Sequence, residues 1–348
     1  RPFIDLDAVI ETVAKQKIRD IFACEGESGF RTRESTALTS VIAGAPSVIG
    51  LGGGALLKPE NRELAEKAGE ILFFAADAAT LQRRVNRSPG TRPLISTPTN
   101  DCAQPPPAGQ GKPVTQLLAE RSDHYASFPR RVTVADRPPE ETADAAQAAL
   151  GLYRISGMGP SYTVCVGDGL LDTLGARFLE LGAGDRTVIV GDANTLPLYG
   201  ERAAASLRAK GIHVTLITIP AGEATKTIAT VALLWSAFLA AGIERGHAVI
   251  ALGGGVTGDL TGFAAATWLR GVRWIGLPTT LLAMVDSGLG GKTGADLPDG
   301  KNLIGAFHPP ALVLADTATL ATLPVRELRC GLAEAVKHAV IGDPDLLD

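Results

Sequence analysis

Cysteines are few in this chain, and long hydrophobic runs are absent. The longest strongly apolar run, 231–243, is too short to cross a bilayer, so it predicts a buried helix and no membrane partner. No signal peptide opens the chain, which begins at Arg1 rather than Met. The four cysteines lie far apart without a CxxC pair: Cys24, Cys102, Cys165 and Cys330. That spacing argues against a zinc knuckle or disulfide framework and favours reduced thiols in the cytoplasm.

An excess of one charge is also absent. The formal net charge is -4, and the lysines and arginines are scattered along the chain, which argues against nucleic acid as a partner and leaves small anions as ligands. A hydrophobic content of 45% beside a charged content of 20% is typical of a globular protein with large cores. A length of 348 residues favours two domains.

The glycine-rich stretch 251–310 is the part around which the chain is organised. The apolar run 248–252 predicts a strand that ends at the triple glycine 253–255, and a helical pattern follows at about 259–268. Glycines allow a ligand to approach the backbone, and the free amides at a helix start attract anions. The pattern therefore predicts a phosphate site. For the glycines alone, an ordinary tight turn is the alternative.

Hydroxyls and isolated lysines follow in the same stretch. Thr279 and Thr280 come at the end of a second apolar strand, and Lys292 lies among glycines. Lys301 and Asn302 follow a polar loop. Solvated loop lysines are the alternative interpretation, but it does not explain two lysines beside a glycine cradle.

Apolar runs alternate with helical patterns in both halves of the chain. This alternation predicts an α/β fold with parallel sheets, whose sites lie at the carboxyl ends of the strands. In the first half, strands are predicted at 47–51 and 71–75. In the second half, strands are predicted at 163–166, 187–190, 214–219, 248–252 and 274–277, and helices at 170–181, 199–210 and 226–241. The second half is therefore expected to hold a Rossmann-like layered sheet.

The second half resembles 3-dehydroquinate synthase through five motifs in order: GGGVTGD, PTTLLAMVDS, GGKTG, GKNLIGAFH and LPVRELRCGLAEAVKHA. The resemblance implies an enzyme that uses NAD and a divalent metal, zinc or cobalt. Its reaction converts 3-deoxy-D-arabino-heptulosonate 7-phosphate to 3-dehydroquinate with phosphate release, in the shikimate pathway of aromatic amino acid biosynthesis. The resemblance also implies a homodimer, an NAD-binding domain over 156–325 and the start of an α-helical domain at 326–348.

The same resemblance implies roles for single residues. The catalytic residues would be Lys292, Asn302, Arg270 and Lys337, which hold phosphate and carboxylate, and Asp286, which orients the cofactor and substrate. The cofactor-binding residues would be Asp192, Asn194, Gly222, Glu223, Lys226, Gly254, Gly255, Val256, Thr257, Gly258, Asp259, Thr279, Thr280, Lys292, Lys301, Thr319, Leu320, Ala321 and Thr322.

An amphipathic helix is predicted at 332–338. On spacing alone Glu334 and His338 could both bind a metal, since residues four apart share a helix face. The resemblance instead implies that Glu334 is a metal ligand, that Lys337 binds substrate and that the other two ligands are histidines further downstream. His338 would then have no role.

Residues 1–150 resemble shikimate kinase through the motifs FIDLD, GESGFRTRE, VIGLGGGA and RPLI. The resemblance implies a P-loop-kinase-like domain, extending to about 155, that phosphorylates the 3-hydroxyl of shikimate with ATP and magnesium. Its implied ligand contacts are Asp7 to a shikimate hydroxyl, Arg31 and Arg121 to the carboxylate, Gly53 against the same ligand and Arg92 to ATP. Planar guanidinium groups suit a carboxylate. Arg31 and Glu34, one helical turn apart, are expected to pair.

The chain departs from both families. It contains no GxxGxGK[ST] phosphate loop, the Pro/Gly-rich insertion 97–113 predicts a disordered loop, and Gly288 stands where the synthase family has a second serine. We therefore expect a two-enzyme fusion with both ends missing, which has no turnover by itself. The alternatives are an NAD- and metal-dependent polyol dehydrogenase and a non-catalytic ligand-binding remnant.

Overall fold

The computed structural model describes residues 2–87, 112–134, 138–156 and 159–347. The chain divides into two compact units, Arg1–Leu150 and Gly151–Asp348. The insertion predicted to be a disordered loop lies almost entirely outside the described residues. Among those that are described, no helix is both long and apolar enough to span a membrane.

The first unit pairs its short strands in parallel, β1 with β2 and β3 with β4. Its strands are β1 (Phe3–Asp5), β2 (Val48–Gly50), β3 (Phe73–Ala75) and β4 (Arg131–Thr133). Its helices are α1 (Leu6–Ala14), α2 (Ile18–Ile42), α3 (Pro59–Ala68), α4 (Ala78–Arg87), α5 (Val114–Glu120), α6 (Ser122–Ala126) and α7 (Pro139–Ala149). The parallel pairing agrees with the α/β class predicted from the sequence.

Local sequence explains how α1 and α2 are placed. The carboxylate of Asp5 accepts a hydrogen bond from the Asp7 amide at 3.0 Å, so α1 begins directly after β1. Gly26 has a φ of 68° and interrupts the helical path inside α2. Leu6 of α1 and Leu38 of α2 are buried in one core, which holds the two helices together.

The second unit is built on one sheet with seven strands in the described residues. The strands are β5 (Leu152–Ile155), β6 (Tyr162–Gly167), β7 (Arg186–Asp192), β8 (His213–Ile219), β9 (Ala248–Gly253), β10 (Arg273–Pro278), β11 (Lys292–Leu297), β12 (Gly300–Phe307) and β13 (Leu312–Asp316), of which β11 and β12 form a separate antiparallel hairpin. The helices are α8 (Leu174–Glu180), α9 (Glu201–Arg208), α10 (Ile228–Ala240), α11 (Gly255–Thr267) and α12 (Val325–Gly342).

The sheet order is β5-β6-β13-β10-β9-β7-β8, and every neighbour is parallel except β5 with β6. Alternate side chains of β7 enter cores on opposite faces, Ile189 with α8 and α9, and Val188 with α10 and α11. The unit is therefore a layered α/β sheet with helices on both faces, which confirms the predicted fold class. Its parallel strands all end at one edge.

The sequence pattern misses several boundaries and elements. Helix α11 begins at Gly255 rather than near 259, because packing against β9, β10 and β11 outweighs the low helix propensity of glycine. The lysine-bearing stretch forms a hairpin instead of loops, after Gly290 and Gly291 turn the chain at φ 76° and 70°. Two further strands are not predicted. β5 is a short run without a clear period, and β13, although its run LVLA is apolar, follows the hairpin without an intervening helix.

Candidate functional site

The start of α11 lies at the carboxyl edge of the second unit's sheet. β9 ends at Gly253, and Gly254 is the N-cap of α11 without a side-chain cap. The first amide groups of a helix have no partner within it, so they are available to an anionic ligand. The first turn of α11 contains four residues of the predicted cofactor set: Gly255, Val256, Thr257 and Gly258.

The glycines in this cradle have little room for a side chain. A Cβ at Gly254 would lie 3.2 Å from Cγ2 of Thr280, and one at Gly255 would lie 2.8 Å from Oγ of Ser287. The Ser287 hydroxyl is buried without a hydrogen-bond partner. Among the described residues, the hydroxyl of Thr261 is the other buried side-chain group without one. An unpaired buried hydroxyl is costly unless a ligand supplies the partner. The cradle therefore fits a ligand with acceptor oxygens.

Lys226 is a buried cation at the same edge, with 5% of its surface exposed. Its Nζ lies 2.5 Å from Oδ2 of Asp259 and donates a hydrogen bond to Oδ1 of Asn302 at 2.5 Å. Burial raises the pKa of Asp259, and the hydrogen bond from Lys226 opposes that rise. Lys226 thus connects the segment before α10 to the first turns of α11 and to β12.

Asn302 has a φ of 57°, in the left-handed region that few residues other than glycine adopt. Its amide donates to Oδ1 of Asp296 at 2.7 Å, and the Asp296 amide donates to the carbonyl of Lys226 at 2.7 Å. The neighbouring Lys301 is exposed and pairs with Glu223 at 2.9 Å. A strained backbone held by such bonds is common at ligand sites.

A cavity of about 490 Å³ is lined by both α11 and the β11–β12 hairpin. Four predicted residues line it: Asp259, Asp286, Lys292 and Asn302. The Nζ of Lys292 lies 3.5 Å from Oδ1 of Asp286, and the lysine side chain is largely exposed. A second cavity of about 590 Å³ is lined by Lys226. Lys226 also contacts Asp259 and Asn302, which line the first cavity. The two cavities therefore adjoin.

The other predicted cofactor residues lie at the ends of neighbouring strands. Asp192 ends β7, and its Oδ1 accepts hydrogen bonds from the amides of Asn194 at 2.9 Å and Thr195 at 2.8 Å. Gly222 has a φ of 98° in the turn after β8. The Thr279 amide, just after β10, donates to the carbonyl of Gly253 at 3.0 Å. The helical turn after β13 contains Thr319, Leu320, Ala321 and Thr322.

Arg270 is not brought to this cluster. It lies in the turn Trp268–Arg270, which follows the carboxyl end of α11, whereas the cluster surrounds the amino end. Thirteen residues of helix at about 1.5 Å each separate the two ends by about 20 Å. The predicted role of Arg270 at the substrate therefore has no support from the position of this arginine within its own chain.

Glu334, Lys337 and His338 lie together on α12. The carboxylate of Glu334 accepts a hydrogen bond from Lys337 and lies 3.3 Å from Nε2 of His338. Helix α12 packs closely on the segment that precedes Asp286, a residue predicted to be catalytic. A Cβ at Gly331 would lie 2.5 Å from Cβ of Leu281 in that segment. Within the described ranges, no group of three or more His, Cys, Asp or Glu could hold a metal ion.

In the first unit, the predicted pair of Arg31 and Glu34 is confirmed. Nη1 of Arg31 donates to Oε2 of Glu34 at 2.6 Å, and the Glu34 side chain is 1% exposed. Burial raises the pKa of Glu34, and the hydrogen bond from Arg31 opposes the rise. Gly54 lies against the guanidinium, since a Cβ there would meet Nη2 at 2.5 Å. Arg31 is therefore held between Glu34 and a glycine backbone.

The predicted shikimate residues lie around this pair. Nη1 of Arg121 donates to the Gly53 carbonyl at 3.3 Å, and the Tyr125 hydroxyl donates to the same carbonyl at 2.8 Å. The charges of Asp7 and Arg121 both act on the Glu34 carboxyl. Asp7, Arg31, Gly53 and Arg121 are thus collected at one place, whereas the predicted ATP contact Arg92 lies outside the described residues.

The sequence patterns give no role to three polar residues in these regions. Asp316, at the end of β13, accepts hydrogen bonds from the amides of Gly169 at 2.9 Å and Leu171 at 3.0 Å. An acid after the apolar run LVLA is the signal for it. Ser287 and Tyr125 carry no such signal, because their importance depends on contacts with distant segments.

Comparison with known proteins divides the chain in the same way. The shikimate kinase family model matches residues 1–150, and the model described as 3-dehydroquinate synthase N-terminal matches residues 216–330. A 3-dehydroquinate synthase of Symbiobacterium thermophilum is 54% identical over 187 residues, which is 53% of this chain and 52% of that protein. The chain spans about half the length of the curated relatives it matches.

Two solved structures share the fold of the second unit. ValA, a 2-epi-5-epi-valiolone synthase from Streptomyces hygroscopicus with NAD+ and Zn2+ bound, is 40% identical with a TM-score of 0.50, covering 56% of this chain and 53% of its own. A 2-deoxy-scyllo-inosose synthase complexed with carbaglucose-6-phosphate, NAD+ and Co2+ is 32% identical with a TM-score of 0.52. The match covers 55% of this chain and 52% of that synthase.

Proposed function

We propose that the chain, which joins a segment similar to shikimate kinase to a segment similar to the N-terminal part of 3-dehydroquinate synthase, serves two steps of the shikimate pathway. Its second unit takes part in converting 3-deoxy-D-arabino-heptulosonate 7-phosphate to 3-dehydroquinate and phosphate. Its first unit takes part in phosphorylating shikimate at the 3-hydroxyl with ATP and magnesium. We place the protein in the cytoplasm and expect a homodimer formed through the synthase part.

One observation carries the synthase proposal. The uncapped start of α11 and the cavity with Lys292 and Asn302 lie at the same sheet edge, joined by Lys226 and Asp259. A dinucleotide pyrophosphate fits the glycine cradle, because helix amides and the Ser287 hydroxyl offer donors there. Asp192, at the end of a neighbouring strand, would accept from the ribose hydroxyls. NAD supplies a hydride acceptor and later a hydride donor.

The phosphorylated substrate belongs in the adjoining cavity. Lys292 offers an exposed ammonium to the substrate phosphate, and the carboxylate of Asp286 lies 3.5 Å from that ammonium. The side-chain amide of Asn302 is oriented by Lys226, so its NH2 group is directed away from that lysine and can donate to the ligand. The ion pair of buried Lys226 with partly buried Asp259 stabilises this wall of the cavity.

Zinc or cobalt would need more ligands than the described residues provide. Glu334 is one proposed ligand, and within the described ranges no third His, Cys, Asp or Glu joins it and His338. Lys337, which bonds to the same carboxylate on α12, is the proposed substrate contact from this helix.

For the first unit we propose that Arg31 and Arg121 bind the carboxylate of shikimate and that Asp7 accepts from one of its hydroxyls. The guanidinium groups are fixed before the ligand arrives, by Glu34 and by the Gly53 carbonyl. Preorganised, bidentate donors favour a planar carboxylate. The proposed contact of Arg92 with ATP lies outside the described residues.

Calorimetric titration of the full chain with NAD tests the synthase proposal. We expect one site, and the variant Gly255→Val is expected to weaken NAD binding at least about tenfold, because its side chain displaces Ser287 beside the helix amides. Gly246→Val is the matched control, since a Cβ at Gly246 meets nothing within 4 Å. Equal NAD affinity for both variants would contradict the placement of the cofactor.

The polyol dehydrogenase alternative has weaker support, because the family models and the curated relatives are kinase and synthase proteins. Incubation of the NAD-bound chain with glycerol distinguishes the synthase proposal from the dehydrogenase alternative. The synthase proposal predicts no NADH absorbance at 340 nm, a wavelength set by the reduced nicotinamide. Accumulating NADH would instead favour the dehydrogenase.

A further inference from the structure

We propose that Tyr125 is a positioning residue of the shikimate site, which fixes Arg121 and the Gly53 carbonyl for recognition of the substrate carboxylate. This inference rests on the proposed function of the first unit. It concerns a side chain for which the sequence motifs provide no role. Its evidence is the geometry of one hydroxyl.

The Tyr125 hydroxyl has two partners, one for each of its hydrogen-bonding capacities. It donates its proton to the Gly53 carbonyl at 2.8 Å and accepts a hydrogen bond from Nη1 of Arg121 at 3.3 Å. Nη1 of Arg121 also reaches the Gly53 carbonyl at 3.3 Å. A phenol can donate once while it accepts, so the three groups form a closed triangle.

The ring of Tyr125 is itself held in place, so the hydroxyl has little freedom. It stacks on Phe73 of β3 with centroids 5.0 Å apart and an interplanar angle of 22°. Its amide donates to the Arg121 carbonyl at 2.9 Å, which places the two side chains one helical turn apart. Tyr125 therefore fixes the Arg121 guanidinium relative to β3.

The neighbouring loop is shaped around this hydroxyl. A Cβ at Gly53 would lie 3.2 Å from the Tyr125 oxygen, which is tighter than ordinary van der Waals contact. Gly54, the next residue, lies against the Arg31 guanidinium. The Gly53-Gly54 backbone thus lies against both arginines proposed to bind the carboxylate, and the hydrogen bond from Tyr125 to the Gly53 carbonyl is shorter than the one from Arg121.

A positioning role makes a specific prediction about ligand chemistry. If Tyr125 acts through Arg121, its hydroxyl matters only for a ligand whose carboxylate the arginine binds. Removing the hydroxyl should therefore weaken shikimate and leave a ligand without the negative charge unaffected. A residue that only stabilises the fold would affect both ligands equally.

The experiment is calorimetric titration of the full chain and its Tyr125→Phe variant with shikimate and with methyl shikimate, in which the carboxylate is esterified. We expect about fivefold weaker binding of shikimate by the variant, the equivalent of one ordinary hydrogen bond, and an unchanged affinity for the ester. The phenylalanine keeps the stack on Phe73. Tyr153→Phe, an exposed tyrosine of β5, is the matched control and should bind both ligands as the unaltered chain does.

Two results would overturn the inference while leaving the shikimate site in place. These are unchanged shikimate affinity in Tyr125→Phe, or an equal loss for shikimate and its ester. Failure of the unaltered chain to bind shikimate would reject the proposed site itself, and the positioning role with it. The two failures are therefore distinguishable in one set of titrations.

Discussion

Lys226→Met is expected to lower the free energy of unfolding of the second unit by about 3 kcal/mol, because it leaves the partly buried Asp259 carboxylate without its cation. The lysine is 5% exposed and lies 2.5 Å from that carboxylate. Methionine has a similar length, so the main loss is the charge pair and the hydrogen bond to Asn302. Urea unfolding followed by tryptophan fluorescence measures the change, since all three tryptophans lie in this unit: Trp235, Trp268 and Trp274.

Lys301→Met is the matched control for this prediction. Its ammonium pairs with Glu223 at 2.9 Å, but the lysine side chain is 69% exposed, so water screens the pair and we expect little change in the free energy of unfolding. The double variant Lys226→Met, Asp259→Asn should recover part of the lost stability, because no buried charge is left unpaired. Similar losses for Lys226→Met and Lys301→Met would show that the buried pair is not a stabilising feature of the site.

Glu34→Gln is expected to weaken shikimate binding by about 10- to 100-fold, the equivalent of one to two strong hydrogen bonds. The Glu34 carboxylate accepts from Arg31 at 2.6 Å and is almost fully buried. Glutamine has the same shape but no charge, so the guanidinium is no longer held in a charge-assisted bond. Calorimetric titration with shikimate measures the loss, with circular dichroism as the check on folding.

Glu27→Gln is the control on the same arginine. Glu27 also contacts Arg31, at 3.2 Å, but its side chain is 54% exposed. Water screens that pair, so we expect less than about a threefold change in shikimate affinity. Comparable losses for Glu27→Gln and Glu34→Gln would mean that burial of Glu34 does not orient the arginine.

Most of the fold could be predicted, because a strand that is buried on both faces has a continuous apolar sequence. The runs at β7, β8, β9 and β10 identify their strands to within two residues at each end. β13 lies between β6 and β10 in the sheet and has the same kind of apolar run, LVLA, but it is not predicted because it lacks the alternation with helices that marks the other strands. Its five residues follow directly on the β11–β12 hairpin, so no helix separates it from the preceding strand.

Much of the candidate site could be predicted from motif order, but its pairings could not. The motifs assign both Lys226 and Asp259 to the cofactor, yet nothing in the spacing of these residues indicates that they bind each other. Arg270 shows that closeness in sequence does not place a residue at the site. It follows α11 directly, but it lies at the carboxyl end of that helix, whereas the site surrounds the amino end. Contacts between distant segments depend on the sheet order, which periodicity does not encode.

X-ray diffraction from crystals of the full chain grown with NAD tests the proposed placement of the cofactor. We expect the pyrophosphate within hydrogen-bond distance of the amides at the start of α11, with the Ser287 hydroxyl as an additional donor and the nicotinamide directed toward the cavity of Lys292 and Asn302. A dinucleotide bound at another place, with the Ser287 hydroxyl still unpaired, would contradict it.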